Sequence, residues 1–312
     1  MNRQGAVFIV GIYVTDLTFR AARMPLLGET IAGSTFKMGP GGKGSNQAVA
    51  AARAGAKVTF CTRIGNDAFG HIARATWQAD GIEVRAKVVD EVATGAAHIF
   101  VDELSGKNAI IVAAGAASTM TPDDIDALEA EIAASAVFVT QLEQPLGVAR
   151  RGLELARKHG VLTIFNPAPA LPVGDDVYPL CDYITPNETE AAALTGIPVN
   201  TLDDARRAAE ILLAKGVGAA IITLGEAGAL FHSAQHSELI PAFRCGTVVE
   251  TAGAGDGFTG GLAAALAQGD EPLQAVRFAC ALASLSVTRA GTAPSMPALT
   301  EIRAVLAAAV SA

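Results

Sequence analysis

The sequence predicts an α/β protein with a parallel sheet covered by helices and a small β flap set apart from it. Three observations carry this. Short runs apolar on both sides alternate with helical stretches, as strands buried between helix layers require. Residues 16–38 and 96–112 break the rhythm, with strand-like pieces and no helix between them. After Val248 a glycine-rich turn leads into helices alone.

The core strands are read at Val7–Val10, Val58–Thr62, Val137–Thr140, Val161–Phe165, Tyr183–Thr185 and Ala219–Thr223. Helices are read between them at Ser45–Ala54, Ala68–Ala79, Pro122–Ala134, Leu146–His159, Glu188–Thr195 and Asp203–Lys215. This alternation implies right-handed crossovers. Ala97–Val101 and Ala109–Val112 belong to the flap, expected as a small antiparallel sheet acting as a lid over a site. Gly255–Ala267, Pro272–Val287 and Ala298–Val310 are the closing helices. No repeat or low-complexity linker divides the chain. It reads as one domain, 1–312, with lid segments at about 12–40 and 95–113.

An apolar fraction of 51% over 312 residues is ample for a packed core. The net charge of -8 argues against a nucleic-acid partner, which needs a basic face. The first apolar run, Ala6 to Val14, is too short to span a membrane, and no signal-peptide cleavage pattern follows it. Cys61, Cys181, Cys245 and Cys280 form no CxxC and read as reduced thiols, which places the protein in the cytoplasm. His232 and His236, four apart in a strand-like stretch, are a weak metal candidate.

Residues 39–46 read GPGGKGSN. A P-loop is excluded by spacing, because position 37 is Lys and Gly44 follows Lys43. Gly39, Gly41 and Gly44 do match GxGxxG. The stretch before them is flap, however, and Arg63, where a dinucleotide site wants an acid, fits only an NADP-type variant. Lys43 and Asn46 at a glycine-rich helix start suit a polyhydroxylated ligand, although the glycines alone also make a tight turn. Residues 250–257 read ETAGAGDG. Gly253, Ala254 and Gly255 leave free amides at a helix start, an anion site. Asp256 beside them is placed to take a hydroxyl proton while the amides take up phosphoryl charge. The plainer alternative is an aspartate stabilising its own helix.

Together these motifs resemble the ribokinase, or phosphofructokinase-B, family of sugar kinases, in the pattern of its bacterial ribokinase branch. The markers are Gly41-Gly42-Lys43-Gly44-Ser45-Asn46 and Thr251-Ala252-Gly253-Ala254-Gly255-Asp256. Between them stand Gln141-Leu142-Glu143, Asn166-Pro167-Ala168-Pro169, Thr185-Pro186-Asn187-Glu188-Thr189-Glu190 and Thr223-Leu224-Gly225. The resemblance implies a three-layer α/β/α domain with a mostly parallel sheet and a β lid. It also implies magnesium-dependent transfer of the ATP γ-phosphate to a primary sugar hydroxyl, D-ribose first among candidates. On it, Asp256 is the base and Gly253, Ala254 and Gly255 form the anion hole. Asp16, Gly42, Lys43, Asn46 and Glu143 hold the sugar, and Gly41-Gly42 is the lid hinge. Asn187 and Glu190 organise phosphate and water-bound magnesium; Thr223, Gly225, Gly228 and Cys280 line the nucleotide site. A monovalent cation, potassium, falls to carbonyls of Ala252, Ser286, Arg289 and Gly291 with Ser295. Read without the resemblance, Asn187 after Pro186 serves equally as a helix cap.

The chain departs from that pattern twice. Glu250 replaces an aspartate at the cation site, which puts potassium activation in question. Val14 replaces an asparagine that faces the sugar. Strand period puts Val14 and Asp16 on one side and turns Tyr13 and Thr15 away. A hydroxyl buried against valine is unpaired, at about 1–3 kcal/mol. 2-Deoxyribose, a fructose-type hexose and a nucleoside are therefore alternatives to ribose. A sensor that binds sugar or nucleotide without turnover is a further alternative. Exposed apolar flap edges lead to the expectation of a homodimer through the lid.

Overall fold

The computed structural model describes residues 3–309. The chain begins with β1 (Ala6–Val10), β2 (Val14–Ala21), β3 (Thr35–Gly41), α1 (Lys43–Arg53), β4 (Lys57–Gly65), α2 (Ala68–Ala79) and β5 (Glu83–Val89). It continues through β6 (Thr94–Asp102), β7 (Asn108–Gly115), α3 (Pro122–Asp126), α4 (Glu129–Ala133), β8 (Val137–Thr140) and α5 (Leu146–Lys158). Next come β9 (Leu162–Phe165), β10 (Tyr183–Ile184), α6 (Glu188–Thr195), α7 (Leu202–Ala214), β11 (Ala219–Thr223), β12 (Ala229–Ser233) and β13 (Ser237–Ile240). Three helices close it: α8 (Ala254–Gln268), α9 (Pro272–Ser286) and α10 (Leu299–Ala308).

The large sheet has nine strands in the order β13-β12-β11-β10-β9-β8-β1-β4-β5. All pairs are parallel except the hairpin β12–β13 and its junction with β11. Successive residues of β1 point to opposite layers. Val7 and Ile9 join Trp77, Leu262 and Val276, while Phe8 and Val10 join Ile125, Leu153 and Leu212. Helices therefore cover both faces, as the strand composition requires.

Three expectations need correction. The sequence reading missed β5 and met β12 and β13 only as a strand-like stretch around His232 and His236, outside its core strands. Two of them lie at the sheet margins, where half-exposed strands such as Glu83–Val89 lose the doubly apolar signature. The helix read at 122–134 is two short helices, broken at Ala127 and Leu128. The small sheet, β3-β2-β6-β7, is not wholly antiparallel: β2 and β6 run parallel, from Val14↔Gly95 to Ala21↔Asp102. A parallel pair needs a long crossover, and residues 42–93 supply it by passing through the large sheet. The end of the last helix read from the sequence, Val310, lies outside the described residues.

β1 pairs with β4 on one side and β8 on the other. Chain leaves the carboxyl ends of β1 and β8 for different parts of the molecule, β2 in one case and α5 in the other. A crevice at such a switch point is where open α/β sheets take ligands. Asp16 and Glu143 both follow these strand ends.

Candidate active site

Two helices start at this crevice behind glycines, and neither has a side-chain cap. Gly42, before α1, has φ 87°, and a Cβ there meets the Ile12 carbonyl at 2.7 Å, so only glycine fits. Glu143 fills this start: the Lys43 amide donates to its Oε2 at 2.7 Å. Gly253, before α8, has φ 79°. Here the start is open. Among the described residues, the amides of Gly255 and Asp256 donate to no carbonyl, and a Cβ on Gly255 meets nothing within 4 Å. Free amides and the helix dipole together make an anion site.

Asp256 stands in that first turn, 6% exposed. Asn46 Nδ2 donates to its Oδ2 at 2.9 Å, and Gln47 Nε2 to its Oδ1 at 3.2 Å. One cleft is lined by Lys43, Asn187, Glu190, Thr223, Gly253, Gly255 and Asp256, together with Asn166 and Thr185. Seven residues singled out in the sequence thus meet in one place.

At the small-sheet end, Asp16 stands so close to Gly41 that any side chain there collides with its carboxylate. Thr292 Oγ1 lies 2.9 Å from the Pro40 carbonyl and 3.4 Å from Asp16 Oδ2. Burial pushes Asp16 up to about 6, against the Thr292 hydroxyl and helped by the charges of Asp256 and Glu250. Burial pushes Glu143 up to about 7, although the Lys43 charge and amide oppose it. Burial works against the Lys43 ammonium too, but Asp256, Glu143 and Glu190 outweigh it and hold Lys43 above the usual lysine range.

Val14 is 3% exposed and packs with Ile12, Ala97 and Ala117. The register that sets Val14 opposite Gly95 sets Asp16 opposite Ala97, so both use one face of β2. Tyr13 turns away as expected: its ring meets Trp77 edge-on and its hydroxyl bonds Thr15.

Asn187 is a helix cap. Its Oδ1 accepts from the Glu190 amide at 2.8 Å, and Glu190 Oε2 accepts from the Asn187 amide at 2.9 Å. This reciprocal box orients both side chains at the cleft wall. Burial raises Glu190, opposed by that Asn187 amide. Gly225 and Gly228 form the turn after Thr223, and the Ile240 carbonyl packs onto Gly228. Cys280 is buried on α9 with Sγ toward the Ile240 carbonyl, and burial raises its thiol to about 12. Neither glycine nor Cys280 lines the cleft.

The two stretches expected to flank a cation do come together. Val249 donates to the Val287 carbonyl at 2.8 Å, and Glu250 Oε2 accepts from the Gly291 amide at 2.8 Å. The Ser286 carbonyl accepts from Arg289, Ser295 Oγ donates to the Thr292 carbonyl, and Ala252 is exposed.

The dinucleotide reading fails on geometry. The strand before GPGGKGSN belongs to the small sheet, and Arg63 is ion-paired to Asp124 at 2.7 Å. His232 bonds Ser237, and no group of three or more metal-ligating side chains occurs among the described residues. Sequence reasoning missed Gln47 and Thr292. Gln47 had a signal, an amide directly after Asn46 in a helix otherwise running Ala-Val-Ala-Ala-Ala. Thr292 had none, because only the fold brings it to Asp16.

An acid beside open helix amides and a half-buried lysine form the equipment of a phosphotransferase acting on a hydroxyl. Comparison with known proteins defines the kind: residues 4–299 match the pfkB family of carbohydrate kinases, and the chain belongs to that family. It is a sugar kinase. The chain is 38% identical over 295 residues to the deoxyribokinase of Salmonella typhi, covering 94% of this chain and 96% of the relative. It is 40% identical over 271 residues to the ribokinase of Haemophilus influenzae, covering 86% and 88%. The structure of Arabidopsis thaliana ribokinase complexed with ribose and ATP superposes with a TM-score of 0.89 at 29% identity, covering 97% of this chain and 98% of that one. Thermotoga maritima ribokinase gives 0.87 at 33%, covering 97% and 99%.

Proposed function

We propose that this chain transfers the γ-phosphate of ATP to the primary hydroxyl of a pentose, D-ribose in the first reading. The observation that carries it is Asp256, buried beside the open start of α8 with its carboxylate held by Asn46 and Gln47. The ribose and ATP in the Arabidopsis ribokinase support the substrates. Asp256 accepts the hydroxyl proton, and the amides of Gly255 and Asp256 receive the charge of the transferring group. Lys43 stands between the sugar end and the phosphate end of the cleft. Asp16, Asn46 and Glu143 bond the other hydroxyls, and closing of the small sheet about Gly41-Gly42 excludes water. Asn187, Glu190 and Thr223 suit a magnesium ion held through waters, since that ion prefers oxygen ligands and keeps its own waters. Magnesium supplies neutralisation of phosphate charge. Gly225, Gly228 and Cys280 belong to the nucleotide side, behind the wall that Thr223 forms. A potassium ion at the 250–252 and 286–295 loops raises turnover in this reading, and equal rates with and without potassium sink that part.

A second reading has its own observation. Val14 presents only methyl groups in an apolar cluster on the face that Asp16 shares, which suits a sugar lacking one hydroxyl. The deoxyribokinase relative supports it. The test is ADP release across ribose, 2-deoxyribose, fructose and nucleosides. Ribose preferred at least tenfold establishes the first reading. 2-Deoxyribose preferred makes Val14 the specificity residue, and Val14→Asn then shifts the preference towards ribose by about 10-fold. Binding without turnover of any sugar supports a sensor instead. The outer face of the small sheet exposes Phe19, Phe36, Met38 and Ile111, and we place a second copy of the chain there. A monomer in light scattering at micromolar concentration ends that proposal. No helix of the described residues is long and apolar enough to cross a membrane.

A further inference from the structure

We infer that Gln47 positions the catalytic carboxylate, as the last member of a buried amide chain whose polarity is fixed by one backbone carbonyl. The inference rests on the reading of Asp256 as base. The Thr185 carbonyl can only accept, so Asn166 turns its Nδ2 to it, at 2.8 Å. Asn166 Oδ1 therefore faces Gln47, which must answer with Nε2, at 3.1 Å. That leaves Gln47 Oε1 for the Gln141 amide, which donates to it at 2.5 Å. With its oxygen occupied, Gln47 can offer Asp256 only N–H, and it does so at 3.2 Å from Oδ1. A flipped amide would set oxygen against both Asn166 Oδ1 and the carboxylate. The strand ends of β8, β9 and β10 thus orient one side chain on α1, which orients the acid on α8.

A second observation is independent of side-chain assignment. A Cβ on Gly260 of α8 would lie 2.5 Å from the Gln47 carbonyl, so the two helices touch backbone to backbone at this point. The distance from Gln47 to Asp256 is therefore set by main chain. Gln47 is fully buried and does not line the cleft. It touches neither substrate in this geometry, and is a positioning residue. Asn46 holds the other carboxylate oxygen, so together they fix the plane of the group relative to the open amides of α8. A base that must meet one hydroxyl in line with a phosphoryl group depends on that plane.

The experiment compares Gln47→Met, Gln47→Glu and Asp256→Asn with the wild type. D-Ribose and 2-deoxyribose are the substrates, and sugar-binding stoichiometry by calorimetry counts the folded sites. Gln47→Met keeps the length and removes the donor. Gln47→Glu keeps the oxygen that Gln141 bonds and removes the donor. Both are expected to lower kcat per binding site by about 10- to 100-fold with each KM within about threefold. A purely structural role would lower the number of binding sites and leave kcat per site unchanged, and that result overturns the inference. If Gln47→Met does not fold, Gln141→Met takes its place. It frees only the far end of Gln47, with an expected fall of about 3- to 10-fold, and unchanged kcat per site there counts against the inference equally. Asp256→Asn inactive with both Gln47 variants at full rate overturns the inference alone. Asp256→Asn at full rate overturns the base assignment and this inference with it.

Discussion

The starts of α1 and α8 use the same local device and leave it in opposite states. Each follows a glycine with positive φ, Gly42 at 87° and Gly253 at 79°, and neither carries a side-chain cap. At α1 the protein supplies its own anion, Glu143, at 2.7 Å from the Lys43 amide. At α8, among the described residues, the Gly255 and Asp256 amides donate to no carbonyl, and a Cβ on Gly255 meets nothing within 4 Å. A helix start is an anion site only while nothing internal fills it. The filled start holds groups that can bond a neutral, hydroxyl-rich ligand, and the open one can receive phosphate.

Breaking the open start should cost most. Asp256→Asn is expected to lower kcat by about 10²–10⁴ with little change in sugar affinity. Steady-state rates with calorimetric sugar binding check this, and retained activity removes Asp256 from the base role. Gly255→Val puts a branched side chain into the unoccupied space, where no atom stands in its way. ATP binding should weaken and kcat/KM fall by about 10²-fold, while the fold and sugar binding persist. The matched change at the filled start behaves differently. Gly42→Ala meets the Ile12 carbonyl at 2.7 Å with φ 87°, so it should cost about 1–3 kcal/mol of stability in denaturant melts. Equal effects of the two glycine substitutions on stability would contradict the contrast.

The sequence made the two starts visible as glycine motifs, and the core strands were legible along the chain because doubly buried strands are apolar throughout. Its limits lay where signals are shared between distant segments. The hairpin of β12 and β13 reads only as a strand-like, Ser-rich stretch around His232 and His236, because its turn and most of β13 are exposed. The parallel pairing of β2 with β6 depends on 42–93 passing through another sheet, which no local pattern encodes. Asn187 reads both as a cap and as a ligand; the structure shows the cap, with Oδ1 on the Glu190 amide, and places the residue in the cleft wall. Gln47 was hidden because adjacent helix residues rarely serve one group. Asn46 and Gln47 do so only because α8 packs close enough for its aspartate to reach between them.

The smallest expected effect probes the filled start. Burial raises Glu143 from the ordinary glutamate range to about 7, against the pull of Lys43. The folded protein therefore favours the protonated acid. Its contribution to stability is complete below about pH 4.5 and is lost as pH rises through about 7. Glu143→Gln stays neutral at every pH and still offers the Lys43 amide an oxygen. At pH 8 the ligand-free variant should melt higher than the wild type by about 2–4 °C, and at pH 5 the two should coincide. Sugar KM should rise at pH 8, where Glu143 is a carboxylate and accepts hydroxyls better than an amide, and change less at pH 5, where it is the neutral acid. A lower melting point at pH 8 would mean that the attraction between Glu143 and Lys43 outweighs the cost of burial. The carboxylate at α1 would then serve the fold first and the ligand second. A higher one means the protein keeps a destabilising charge at this helix start for the sake of the hydroxyls it binds.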